Sequence, residues 1–238
     1  MPLILAIETS SETASCALLH GATLHGATLT SRESSGVRTH SQSILPMVQE
    51  LLAEAGVTLS QCDAIAFGAG PGSFTGVRTA CGIAQGLAYG AGLPVVSLVT
   101  LDAMALACRQ QSGASDVLAV LDARMGEVYW AQYRGEQLVA GPALCAPGEL
   151  APLATDGPLT ACGNGFSAYP DAFANLPCAQ GALVEIMPHA LQLVQLAVAA
   201  LDAGAGVPAA QAQPLYLRNK IAYTSAERLV INAAKAAA

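Results

Sequence analysis

The chain has 238 residues, enough for one large domain or two small ones with a sizeable core. Hydrophobic residues make up 53% of it and charged residues only 11%, so part of the exterior should be covered by something else. Ten Lys plus Arg are scattered singly against a formal net charge of −7, which excludes the clustered cations that binding a nucleic-acid backbone demands. The seven cysteines, an odd number with no C-x-x-C pair, read as reduced core thiols of a cytoplasmic protein.

Residues 3–7 are a continuous apolar run, as expected of a strand buried on both faces, and they end in Glu8-Thr9-Ser10-Ser11. No positively charged segment precedes the run and no small-residue cleavage pattern follows it, so it reads as a first strand and not a signal peptide. Residues 13–20 and, after Gly21, about 23–30 read as two more strands of an antiparallel meander. Residues 32–39 are polar and loop-like. His40-Ser41-Gln42-Ser43 opens a helix with Pro46 in its first turn, and Ile44, Val48, Leu51, Leu52 and Ala55 share one face until Gly56 stops it.

Residues 64–67 are apolar again and enter a glycine-rich turn of Gly68, Gly70, Pro71 and Gly72, with Ser73 placed to cap a long helix that runs to Gly90. Such a loop can offer backbone N–H groups and a helix N-terminus to an anion. It is no Walker loop, because the only lysines are Lys220 and Lys235, and the G-x-G-x-x-G spacing fails at Ser73 and at Thr75. On the helix, Gly82, Gly86 and Gly90 repeat every four residues. Each costs about 1 kcal/mol relative to alanine, so the stripe should admit another backbone, either the domain's own neighbouring helix or a partner's. Arg78, Gln85 and Tyr89 share that side and would be awkward in a core. The uncharged window 79–101 is broken by glycines and Pro94 into a helix, a turn and a strand at 94–99, which is no membrane span.

After a helix at 101–109, residues 117–124 repeat the pattern of residues 3–10, with Asp122 where Glu8 falls. Residues 128–133 and 137–143 mirror the second and third strands. Beyond Ala146 the repeat loosens. Residues 159–162 read as a strand ending in Gly163-Asn164-Gly165, 189–201 as an amphipathic helix, 204–208 as a linker and 214–218 as an extended coda. The Ala-rich tail from Ala226 is assigned no function. The order of elements predicts an α/β chain of two tandem ribonuclease-H-like domains of the actin-like ATPase superfamily, each with a mixed sheet of the five-stranded type and helices. The division is 1–100 for a partner-binding N-terminal domain, 101–210 for a degenerate C-terminal one and 211–238 for the coda and tail.

Five segments together, LILAIETSS at 3–11, THSQSILPMV at 39–48, GPGSFTGVR at 70–78, LDARMGEVYWA at 121–131 and PLYLRN at 214–219, resemble the TsaB (YeaZ) family. That family belongs to the bacterial system that makes threonylcarbamoyladenosine on transfer RNA, and the resemblance covers residues 2 to about 223. It implies a subunit without catalysis of its own that pairs with the TsaD transferase, recruits the ATPase TsaE, meets tRNA only through the complex and can pair with itself when alone. It also implies that the two helices at 41–55 and 73–90 carry the partner surface, here His40, Leu45, Pro46, Gln49, Arg78, Gly82, Gln85, Gly86 and Tyr89. No cofactor of its own is implied, with ATP or ADP and magnesium left to a composite site in the assembled complex.

The residues themselves are read beside that resemblance. A metal-bearing relative needs a helical His-x-x-x-His pair, and His20, His25, His40 and His189 supply none. Glu8 and Asp122 fall at strand ends where superfamily ATPases hold Mg²⁺-bound water, yet no lysine accompanies either, and hydrogen bonding to nearby loop amides is the structural reading of both. Arg124, Glu127 and Tyr129 could line an interdomain cleft or a solvated strand edge. The alternative to a scaffold is an enzyme. A weak ATPase would place Ser10, Ser11, Gly70, Gly72, Ser73, Gly163 and Gly165 around phosphates, with Glu8 or Asp122 on the metal. A peptidase would need a Ser/His or Cys/His pair that no motif displays.

Overall fold

The computed structural model describes residues 2–23, 26–36 and 40–218. Thr39, Asn219, His25, both lysines and the Ala-rich tail lie outside the described residues. The first sheet is built on β1 (Ile4–Glu8), whose five residues are all buried. β1 pairs antiparallel with β2 (Thr13–Thr23), and β2 pairs antiparallel with β3 (Gly26–Ser35). On its other side β1 pairs parallel with β4 (Ala64–Gly70), which pairs parallel with β5 (Val95–Val99), giving the order β3-β2-β1-β4-β5.

β3 runs through residues 32–35, where a loop was expected. Long β2 offers Cys16 as partner to Arg32 and Thr13 to Ser35, and an edge strand tolerates polar side chains. Arg32 then reaches Glu50 and Glu54 on α1 (His40–Ala55), so tertiary pairing overrides the polar local signal.

Alternation along β1 splits the core. Leu5 and Ile7 face the side covered by α1 and α2 (Phe74–Ala91), in a cluster with Ile44, Leu51, Ala80 and Ala84. Ile4 and Ala6 face the other side, where Ala190, Leu193, Val194 and Ala197 of α6 (Ala190–Asp202) pack on Ala17, Ala64 and Ala66. The small residues on that face let the helix approach closely. A helix that falls in the 101–210 half of the sequence is thus the second cover of the first sheet.

The second sheet comprises β6 (Asp116–Arg124), β7 (Glu127–Arg134), β8 (Gln137–Cys145) and β9 (Leu159–Cys162) in the order β8-β7-β6-β9. It repeats the first: an antiparallel meander with a parallel strand added beside the central one. Among the described residues it has four strands, with no counterpart of β5. Where the first half places α1 between its third and fourth strands, the second has extended chain and one 3₁₀ turn at Pro147–Glu149. The one-turn helices α4 (Gly165–Ala168) and α5 (Pro170–Phe173) follow β9. α3 (Thr100–Ser112) packs Leu101, Met104, Ala105 and Cys108 onto this sheet. The architecture is two ribonuclease-H-like sheets, the second reduced. Among the described residues no helix is long and apolar enough to cross a membrane.

Candidate functional site

The C-terminal ends of β1 and β6 open onto a cavity of about 370 Å³ between the two sheets, with Ser10, Ser11 and Ser73 on one wall and Asp122, Arg124 and Asn164 on the other. The two strand ends are built alike. Glu8 Oε1 accepts the Ser10 amide, and Asp122 Oδ1 accepts the Arg124 amide at 2.8 Å, each acid holding the backbone two residues on.

Their surroundings differ. Asp122 lines the cavity, where Tyr169 donates its hydroxyl at 2.9 Å and the Arg124 guanidinium lies 3.2 Å away. Glu8 is fully buried beneath Gly68, and a Cβ at Gly68 would land on its Oε2. That oxygen has no hydrogen-bond partner among the described residues. Burial, only partly offset by bonding to Ser10, pushes the Glu8 carboxyl up to about 7.

The glycine loop before α2 is folded onto the β1–β2 connection. The Ser73 amide donates to Ser10 O at 2.8 Å, Thr9 Oγ1 donates to Gly76 O at 2.6 Å, and a Cβ at Gly72 would sit 2.6 Å from the Ser10 Cβ. Ser73 caps α2 by accepting the Gly76 amide, and the Val77 amide donates to Ser73 O. Two amides that a phosphate cradle would present, those of Ser73 and Gly76, are therefore spent within the loop. Gly70 passes under the extended residues 212–218, with its Cβ position 3.0 Å from Leu215 O, while Gly163 and Gly165 both press on Val120.

Arg124 and Tyr129 line the cavity, and Glu127 is paired with Arg218. The turn joining β6 to β7 carries Arg124 at φ 61° and Met125 at φ 59°, a left-handed conformation that costs any residue with a Cβ. Arg124 also reaches across to Glu12 at 3.2 Å. Asn164 lies in the turn at 163–165 read from sequence as a phosphate neighbour, whereas sequence reasoning missed Glu12, Tyr216 and Arg218 as cavity residues. PLYLRN contains the last two, but a short extended segment shows no periodicity that says what it touches.

The predicted partner residues divide into three groups. Leu45, Pro46 and Gln49 on α1 and Gly82, Gly86, Gly90 and Tyr89 on α2 are exposed, with Leu45 at 44% and Tyr89 at 85%. Among the described residues a Cβ at Gly82, Gly86 or Gly90 would meet nothing within 4 Å, so none of those residues packs on the stripe, one of the two uses open from sequence. Arg78 and Gln85 turn from the stripe to residues 212–218. His40 does not present its ring: it is buried and its Nε2 donates to Glu12 O at 3.2 Å.

His189 uses both ring nitrogens, Nδ1 accepting the Leu191 amide and Nε2 facing Glu33. Neither it nor His40 is hydrogen-bonded to a serine hydroxyl or a cysteine thiol, as a peptidase pair would be. Burial pushes the Cys16 thiol up to about 12 and Cys62 to about 11, away from the thiolate. Among the described residues no group of three or more His, Cys, Asp or Glu could hold a metal ion.

Comparison with known proteins gives a consistent assignment. A family model described as TsaD, tRNA N6-adenosine threonylcarbamoyltransferase, matches residues 27–237. The tRNA threonylcarbamoyladenosine biosynthesis protein TsaB of Escherichia coli is 39% identical over 92% of this chain and 96% of its own, and that of Haemophilus influenzae is 38% identical over 92% and 95%. The solved structure of YeaZ from Pseudomonas aeruginosa superimposes with a TM-score of 0.84 at 41% identity, covering 91% of this chain and all of the other. A second Pseudomonas aeruginosa structure, of a protein described as similar to the peptidase YeaZ, matches with the same score and identity. With its paired actin-like sheets and this identity over nearly its whole length, the chain belongs to the TsaB (YeaZ) family of tRNA threonylcarbamoyladenosine biosynthesis proteins.

Proposed function

We propose that the chain is a partner subunit without catalysis of its own that pairs with a TsaD-type threonylcarbamoyltransferase and is required for its activity on tRNA. The outer face of α1 and α2 carries this reading. Three glycines with open space above them, flanked by exposed Leu45 and Tyr89, form a surface that a second helix can approach at backbone distance. Two copies of the chain can use the same face to pair when the transferase is absent. A TsaE-type ATPase joins the assembled pair, and tRNA is held by the complex, since this chain's net charge of −7 gives a phosphate backbone nothing to bind. The working compartment is the cytoplasm.

A magnesium nucleotide does not fit the cavity of this chain alone. Glu8 is sealed below Gly68, Asp122 is already bonded to Arg124 and Tyr169, and the Ser73 and Gly76 amides are spent within the loop. ATP or ADP with magnesium therefore belongs to a composite site completed by the partner, with Ser10, Ser11, Ser73, Gly72 and Asp122 forming this chain's wall of it.

Gly86→Leu tests the interface. The variant is expected to fold, because no described residue within 4 Å opposes a side chain there, and to fail to co-purify with the transferase. A normal complex would remove the α2 face from the reading. The peptidase description of the Pseudomonas relative and the cavity itself favour an enzyme as the second reading. Isothermal titration of the chain with Mg-ATP, and incubation with unfolded protein, discriminate: tight binding with turnover, or cleavage, would replace the scaffold.

A further inference from the structure

We propose that residues 212–218 act as a strap that makes the cavity turn at residues 124–126 sensitive to what is bound on α2. The inference rests on the reading of α2 as the partner face. The strap is gripped from α2 at two points, its first residue and Tyr216. Gln85 Nε2 donates to Ala212 O at 2.9 Å, and Arg78 Nε donates to the Tyr216 hydroxyl at 2.7 Å. The Arg78 guanidinium is itself stacked 3.6 Å from the centre of the Phe74 ring. Gln85 adjoins Gly86, and Arg78 lies one helical turn before Gly82, so a helix seated on the glycines would press beside both grips.

In its middle the strap is fixed to both halves. The Leu215 amide donates to Ala69 O at 2.8 Å, Leu215 packs on the core of the first sheet, and Leu217 packs on the core of the second. At the far end Arg218 holds the turn by three groups: Arg124 O at 3.2 Å, Met125 Sδ at 3.1 Å and the Glu127 carboxylate. Two consecutive non-glycine residues there have positive φ, a conformation that persists only while its surroundings enforce it. The turn is the element with two arrangements, left-handed when Arg218 is seated and relaxed when it is not, and α2 reaches it through the strap, from Ala212 and from Tyr216, two residues before Arg218.

Hydrogen exchange read by mass spectrometry on the full chain, in the peptide covering residues 122–128, tests this. Arg218→Ala should speed exchange there about tenfold, and so should Arg78→Ala combined with Gln85→Ala, although those residues do not touch the turn. All three changes together should be no faster than Arg218→Ala alone, because one strap can be released only once. Tyr216→Phe, which removes only the phenol oxygen, gives a smaller increase and guards against misfolding of the larger variants. Unchanged exchange at the turn in the α2-side variants, with Arg218→Ala accelerated and α1 protection intact, would overturn the proposal. Adding the transferase should slow exchange at the turn in the wild type but not in Arg218→Ala. Binding without that slowing would also overturn it. Failure of the wild type to bind counts against the partner-face reading and leaves the partner-free variants to decide the strap.

Discussion

Gly76 and Gly86 lie on the same helix and do opposite work. At Gly76, in the first turn of α2, an added Cβ would land on Thr9 O and crowd Ser10, so the helix start is pressed against the β1–β2 connection with no atom to spare. At Gly86 the same Cβ would meet none of the described residues within 4 Å. One glycine closes the molecule on itself. The other keeps a face that no described residue covers, at a cost to helix stability that the described packing does not recover. A glycine inside a helix is therefore informative only together with what stands opposite it.

The largest expected effect is at the closed end. Gly76→Ala forces a methyl into backbone, which cannot move as the tip of a side chain can, and should cost about 3 kcal/mol. Urea denaturation would show this as a lower midpoint at unchanged slope. A midpoint equal to that of the wild type would erase the distinction between the two glycines.

Gly68 is walled in too, but by a group that titrates. The unfolded chain ionises Glu8 from about pH 4.5, whereas burial keeps the folded chain's carboxyl neutral up to about 7. Stability from this group is complete below 4.5, falls as pH rises to about 7 and is level beyond. The difference of about 2.5 pH units corresponds to about 3 kcal/mol. Glu8→Gln should flatten that fall, measured as denaturation midpoints at pH 5 and pH 8. An equally steep fall in the variant would place the titration elsewhere.

Much of this was legible in the sequence, and the rest was hidden for physical reasons. An unbroken apolar run such as residues 3–7 identifies a strand buried on both faces, and its echo at 117–124 identifies the second sheet. Amphipathic period identifies α6 as a helix with an inner face, but period says nothing of which sheet receives that face, and the first sheet does. Arg32 looked like loop because its partners Glu50 and Glu54 are far along the chain. For the site, acids at the ends of β1 and β6 were readable from their repeated position. Burying one of them and leaving the other beside the cavity depends on Gly68 and on Arg124, contacts that position alone does not reveal. The strap escaped because its bonds are made by backbone carbonyls and by single side chains, which leave no pattern.

The smallest expected effect is the one that separates folding from function. Gly86→Ala adds a methyl where the described residues offer no obstacle and replaces glycine by the best helix former, so the isolated protein should gain about 1 kcal/mol of stability. If α2 receives another helix at backbone distance, the same methyl stands in the interface, and affinity for the transferase should fall. Denaturation and a binding titration on one variant would then move in opposite directions. Moving together, with a more stable protein that binds at least as well, would mean that the open glycines are not where the partner comes close.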